Sequence, residues 1–164
     1  EIHPAAGLLV LFLDAAKGAV VILIVRQIYV GDYWLYATGL MAVAGHCWPV
    51  FLKFKGGKGA AAAIGVMLAL VPLPAAYALI PMVLVIIITS NVTLGMTAGF
   101  VLLPLLIWLI LHDMGLVIFA LIIALFLGLR YIPTAKRGIS KAGNWQDYII
   151  EKNYMPWQSK RKKK

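Results

Sequence analysis

Apolar residues fall along this chain in six long runs, at about Ala5–Val25, Tyr33–Leu52, Ala60–Val71, Ala75–Thr89, Val92–Leu111 and Met114–Leu129. Within each run the apolar positions surround a helix instead of striping one face, the pattern of helices immersed in lipid. Gly31-Asp32, the Lys/Gly segment at 53–59, Pro72 with Pro74, Ser90-Asn91 and His112-Asp113 separate the runs. No sequence period indicates a repeat architecture. Beyond Pro133 the chain turns polar and basic. The pattern predicts an all-α, polytopic helical membrane protein with about six transmembrane or partly spanning helices. Residues 1–133 form the membrane-embedded domain and 134–164 a basic polar tail, with one short helix expected around Trp145–Glu151.

Composition sharpens this reading. Apolar residues make up 63% of the chain and charged ones 13%, against roughly 45–50% and 25% in soluble domains. With a mean hydropathy of +0.93, a soluble enzyme, a disordered chain and a collagen-like chain are excluded. The formal charge of +9 is unevenly spread: from Arg130 onward, ten basic residues face only Asp147 and Glu151. Basic flanks stay in the cytosol, which orients the tail inward and marks it as a topology determinant that meets anionic lipid heads. Nucleic acid is not an expected partner, because the charge is not spread over a water-facing surface. Six spans then put the segments at 53–59 and 89–95 on the cytosolic face with the tail. Arg26 falls on the opposite face, against the trend. The lone Cys47 allows no internal disulfide and reads as buried packing.

One run is too short. Ala60–Val71 covers under about 20 Å at 1.5 Å per residue, against a hydrocarbon core of about 30 Å. Either the bilayer thins, or the helix starts below the surface and Lys55-Gly56-Gly57-Lys58-Gly59 lies at membrane depth, where such groups are tolerated only beside a polar cavity. Glycines there let successive amides turn inward as an anion nest, and the next helix aims its positive end at the same place. Lys55 and Lys58 add charged donors, so phosphate is the natural ligand. The spacing is not that of a nucleotide-binding G-x-x-x-x-G-K-[ST] loop. The bland alternative is a basic cytosolic loop with flexible glycines. His46, twelve residues before Lys58, is either a helix contact or an acid/base group. Asp14 and Lys17 share a helix face, as a structural ion pair or as ligand-positioning groups. Thr89, Ser90, Asn91 and Thr93 read as helix caps or as hydroxyls and an amide for a ligand. His3, His46 and His112 are scattered, so no metal site is expected, and no cofactor. These features alone also admit a small transporter for a phosphorylated solute.

The run Gly45-His46-Cys47-Trp48-Pro49-Val50-Phe51-Leu52-Lys53-Phe54-Lys55-Gly56-Gly57-Lys58-Gly59 resembles the signature G-H-x-x-P-V-F-x-x-F-K-G-G-K-G of the acyl-phosphate glycerol-3-phosphate acyltransferases, the PlsY-type bacterial membrane enzymes. Asp14-Ala15-Ala16-Lys17-Gly18 is similar to their D-x-x-K-G, and Thr89–Met96 to their T-x-x-V-S-L-G-S, with Thr93 in place of the first serine. The resemblance spans roughly residues 7–130. It implies a multi-pass protein of the bacterial inner membrane with a cytosol-facing site. There a fatty acyl group moves from acyl phosphate to the 1-hydroxyl of glycerol 3-phosphate, giving lysophosphatidic acid and phosphate. By motif match, Gly56, Gly57, Gly59 and Lys58 cradle phosphate with Lys55 and Thr93. His46 orients the site or assists proton transfer, and Asp14 and Lys17 contribute from the first helix. The family's first helix and its Gly/Ser/Asn-rich signature are not found ahead of Gly7. Of the closing signature only Arg130 remains, as a candidate phosphate contact. A non-catalytic relative that binds acyl phosphate, lipid or a partner protein is the alternative this divergence raises. Acyl-chain preference and oligomeric state are not written in the sequence.

Overall fold

The computed structural model describes residues 4–28, 31–49 and 56–142. Among them lie six helices: α1 (Pro4–Gln27), α2 (Asp32–Cys47), α3 (Ala60–Leu70), α4 (Pro72–Thr89), α5 (Val92–Leu111) and α6 (Met114–Ala142). The six apolar runs thus become six helices, with three differences at their ends. Helix α2 stops at Cys47 instead of Leu52: Trp48 precedes Pro49, whose ring disfavours the helical region, and Trp48 sits at φ −130°, ψ 64°. Helix α4 starts at Pro72, ahead of Ala75. A proline needs no amide partner in the first turn and its φ is already helical, so these prolines open the helix. Helix α6 runs through Pro133 to Ala142, so the change in composition falls inside a continuous helix. The helix expected around Trp145–Glu151 lies outside the described residues.

Helices α4 and α5 and the Met114–Lys136 part of α6 are each long and apolar enough to cross a membrane. Their outward faces carry large exposed apolar side chains such as Ile87, Val101 and Leu125, as lipid contact requires. The fully buried side chains Ile22, Val43, Val66, Met67, Ile107 and Ile123 come from α1, α2, α3, α5 and α6 and join one core.

Two helix contacts position everything else. In α1 and α3 small residues meet: a Cβ on Gly18 would run into the Ala62 carbonyl, and one on Gly65 into the Ala15 carbonyl. Close backbone approach of this kind is how helices associate where no hydrophobic drive exists. Farther along, Arg26 Nη1 donates to Ala69 O at 2.9 Å. The pair therefore runs in the same direction, with the start of α3 beside the middle of α1. Between Pro4 and Asp14, α1 extends about 15 Å beyond that level. The short third helix thus begins well below the level of the α1 end at Pro4. The Arg26 bond also satisfies a carbonyl in the last turn of α3.

Candidate active site

Where α2 ends and α3 begins, the chain returns to the middle of α1 and leaves a cavity of about 500 Å³. Asp14, Lys17 and Gly18 of α1, His46 of α2, and Gly56 and Gly57 ahead of α3 line it. Asp14 Oδ1 accepts from Lys17 Nζ at 3.2 Å, so the i,i+3 spacing does form a pair. The same oxygen stands 3.6 Å from His46 Nδ1, close enough to pair with the ring when it is protonated. The Asp14 and His46 side chains are mostly enclosed (19% and 18% exposed), whereas that of Lys17 is 73% exposed. The far ring nitrogen of His46, Nε2, lies against Gly57: a Cβ there would overlap it, and a Cβ on Gly56 would overlap the His46 carbonyl. At Gly56 a side chain would meet backbone, and at Gly57 it would displace the imidazole.

Gly59 is buried, caps α3 at φ +87°, and would bring a Cβ within 2.7 Å of Cys47 Sγ. Its left-handed conformation and the thiol beneath it both require glycine. The turn thus delivers the start of α3 to the cavity wall, where Ala62 is also a lining residue. First-turn amides of a helix have no acceptor within it, so the cavity sits at an anion-favouring end.

The remaining candidates stand elsewhere. Lys58 Nζ lies over the Tyr131 ring, 5.1 Å from its centroid, and not in the cavity lining. Arg130 Nη2 donates to Gly57 O at 3.1 Å and reaches Cys47 O at 3.5 Å, with the guanidinium 5.0 Å from the Trp48 ring centroid. Its contacts are to backbone on the α6 side of the turn. Thr93 sits in the first turn of α5, where Asn91 Oδ1 accepts from the amides of Thr93 and Leu94 at 3.0 and 3.2 Å. Thr89 Oγ1 donates to Val85 O. Thr89 and Asn91 therefore make local helix-end contacts, and Thr93 lies outside the cavity lining. Lys55 lies outside the described residues. Trp48 and Tyr131 were not singled out from the sequence; the only available signal was that Phe126 and Arg130 share a face of α6 at i,i+4. Among the described residues no group of His, Cys, Asp and Glu is placed to hold a metal.

Fold and cavity together define a polytopic helical membrane protein whose polar site joins a carboxylate–imidazole pair to a glycine turn suited to an anion. Comparison with known proteins agrees. Residues 2–141 match the family model for glycerol-3-phosphate acyltransferase, and the chain belongs to that family. It is 38% identical over 138 residues to glycerol-3-phosphate acyltransferase 2 of Dehalococcoides mccartyi strain CBDB1, covering 84% of this chain and 66% of that protein. Glycerol-3-phosphate acyltransferase 1 of Dehalococcoides mccartyi strain 195 is 32% identical over 158 residues, covering 92% of this chain and 76% of that one. The crystal structures of PlsY, an integral membrane glycerol 3-phosphate acyltransferase, superpose at a TM-score of 0.75 with 28% identity. In its lysophosphatidic acid and glycerol 3-phosphate forms they cover 84% of this chain and 70% and 69% of those chains.

Proposed function

We propose that this chain transfers a fatty acyl group from an acyl phosphate to the 1-hydroxyl of glycerol 3-phosphate, releasing lysophosphatidic acid and inorganic phosphate. The observation that carries this reading is the cavity in which the Asp14–His46 pair meets the Gly56–Gly57 backbone. Acyl phosphate is a mixed anhydride with a good leaving group, so positioning and charge stabilisation suffice and no covalent enzyme intermediate is needed. The glycine amides and the start of α3 hold a phosphate, and Lys17 offsets its charge from the cavity rim. His46 Nε2 takes the hydroxyl proton as the oxygen attacks the acyl carbon. The carbon–oxygen bond to phosphate breaks, and the proton returns to the departing phosphate. The Asp14 carboxylate stands beside Nδ1 and orients the ring so that Nε2 faces the substrate. The motif match adds Lys55, Lys58, Gly59 and Thr93 to the phosphate machinery, with Lys58 and Thr93 acting from outside the cavity lining.

In this reading the chain is a multi-pass protein of the bacterial inner membrane, with residues 1–133 embedded and the basic segment 134–164 in the cytosol, beside anionic lipid. The test is phosphate release from acyl phosphate by purified protein, with and without glycerol 3-phosphate, for the wild type, His46→Gln and Lys58→Ala. Glycerol-3-phosphate-dependent release that falls in both variants supports the reading. No release above the variants would leave a non-catalytic phosphate binder.

A further inference from the structure

The glycine turn has two sides, and the chemistry proposed above uses only one of them. Gly57 lines the cavity, yet its carbonyl oxygen is taken by Arg130 Nη2 at 3.1 Å. Arg130 itself is not part of the cavity lining. A trans peptide sets its C=O and its N–H on opposite sides. The bond that draws Gly57 O toward Arg130 therefore turns the Lys58 N–H away from α6.

The same Nη2 reaches Cys47 O at 3.5 Å, so one guanidinium ties the end of α2 to the approach to α3. The guanidinium is held in turn. Trp48 lies under it at 5.0 Å and meets Phe126 edge-on at 5.7 Å, and Phe126 is one helical turn back from Arg130 on α6. The next residue, Tyr131, carries the Lys58 ammonium. Helix α6 thus grips this turn through successive residues from behind.

We propose that Arg130 is a positioning residue: it braces the glycine turn from the α6 side so that the turn's amides face the phosphate, and it does not touch the phosphate itself. The proposal rests on the phosphate-site reading and replaces a direct Arg130–phosphate contact with an indirect one.

Cys47 gives an independent reporter. It is the one cysteine of the chain, fully buried, with its sulfur directly beneath Gly59. If the brace seats the turn, its loss uncovers the thiol. In purified full chain, the Cys47 alkylation rate and the affinity for inorganic phosphate are measured for wild type, Arg130→Gln and Arg130→Lys. Removing a charge-assisted donor from two carbonyls is expected to weaken phosphate binding about tenfold in Arg130→Gln. Cys47 alkylation is expected to rise about tenfold in the same variant, since both effects follow from unseating the turn. Arg130→Lys keeps the charge and one donor path, and should recover part of both. Weakened phosphate binding with wild-type Cys47 alkylation would mean direct contact and overturn the proposal, as would no change in either readout. If Arg130→Gln does not fold, the two readouts on Arg130→Lys decide by the same criteria. Absence of turnover in the wild type would count against the acyl-transfer reading alone, because neither readout needs turnover.

Discussion

The contact between α1 and α3 and the contact between α4 and α5 use the same device for different ends. In both, glycine on one helix admits backbone from the other: Gly18 and Gly65 in the first, Gly95 and Gly99 in the second. The second pair holds no charged residue, and around Gly99 it encloses only about 20 Å³, lined by residues such as Met67, Met82, Phe100 and Leu103. The first pair brings Asp14, Lys17 and Gly18 against the start of α3 and opens the large polar cavity. Close approach in the hairpin produces packing alone; beside α1 it also lowers a helix start into the bundle and places a charged turn of helix against it. Glycine spacing reports that two helices touch. The charged residues within a turn of those glycines report whether the contact is a site.

The sharpest break of this comparison is Gly65→Ala. Its Cβ would overlap the Ala15 carbonyl, which is helix backbone and cannot swing aside. Separating α1 from α3 should cost about 3 kcal/mol or more, at the upper end of overpacking effects. Thermal unfolding in detergent should show a fall of roughly 6–12 °C, and acyl transfer should fall with it. Gly57→Ala separates site from scaffold, because that Cβ meets His46 Nε2 within the cavity instead of a helix backbone. Acyl transfer should fall about a hundredfold, the size expected when an acid/base group is displaced. The unfolding midpoint should stay within about 2 °C of wild type, since the exposed turn offers little packing to lose. A fall in stability matching that of Gly65→Ala would mean the turn belongs to the scaffold. Asp14→Asn is subtler still. Removing the carboxylate beside His46 should lower kcat about tenfold while KM for glycerol 3-phosphate stays nearly fixed, the scale of one charged hydrogen-bonding partner. A change confined to KM would make Asp14 a ligand contact instead.

Much of the scaffold was legible, and the reasons differ from element to element. The six helices follow from apolar runs long enough to need lipid, and their breaks from Gly31-Asp32, Ser90-Asn91 and His112-Asp113. Helix ends near proline were less legible because one residue type acts oppositely by position: Pro49 stops α2, Pro72 starts α4, and Pro133 lies inside α6. In the site, Asp14, Lys17, His46, Gly56 and Gly57 were visible by residue type, and the short third run offered depth for the glycines as one of two arrangements. What no pattern supplied was which groups face one another. The Arg130 bonds to Cys47 and Gly57 cross 83 and 73 residues of sequence. Such pairings depend on helix rotation, which a run apolar on every side does not encode. For the same reason Lys58, flanked by glycine and read as a phosphate ligand, is placed over Tyr131.

The smallest effect tests the other half of the comparison. A Cβ on Gly99 would stand 3.0 Å from Met82 Cβ and 3.2 Å from Ala78 O, a tight fit that a shift of a few tenths of an ångström relieves. The neighbouring void lined by Met82 and Phe100 gives the methionine somewhere to move, and an unbranched thioether adapts readily. Gly99→Ala should therefore cost about 1 kcal/mol, the low end of overpacking, and shift the unfolding midpoint by roughly 2–4 °C. Acyl transfer per folded molecule should be unchanged, because Gly99 and the Met82 and Ala78 it meets are not part of the cavity lining. A stability loss equal to that of Gly65→Ala would show that the hairpin is as rigid as the α1–α3 contact. A loss of activity with stability kept would show that the uncharged contact between α4 and α5 carries function, and that charged neighbours are not what separates a site from simple packing.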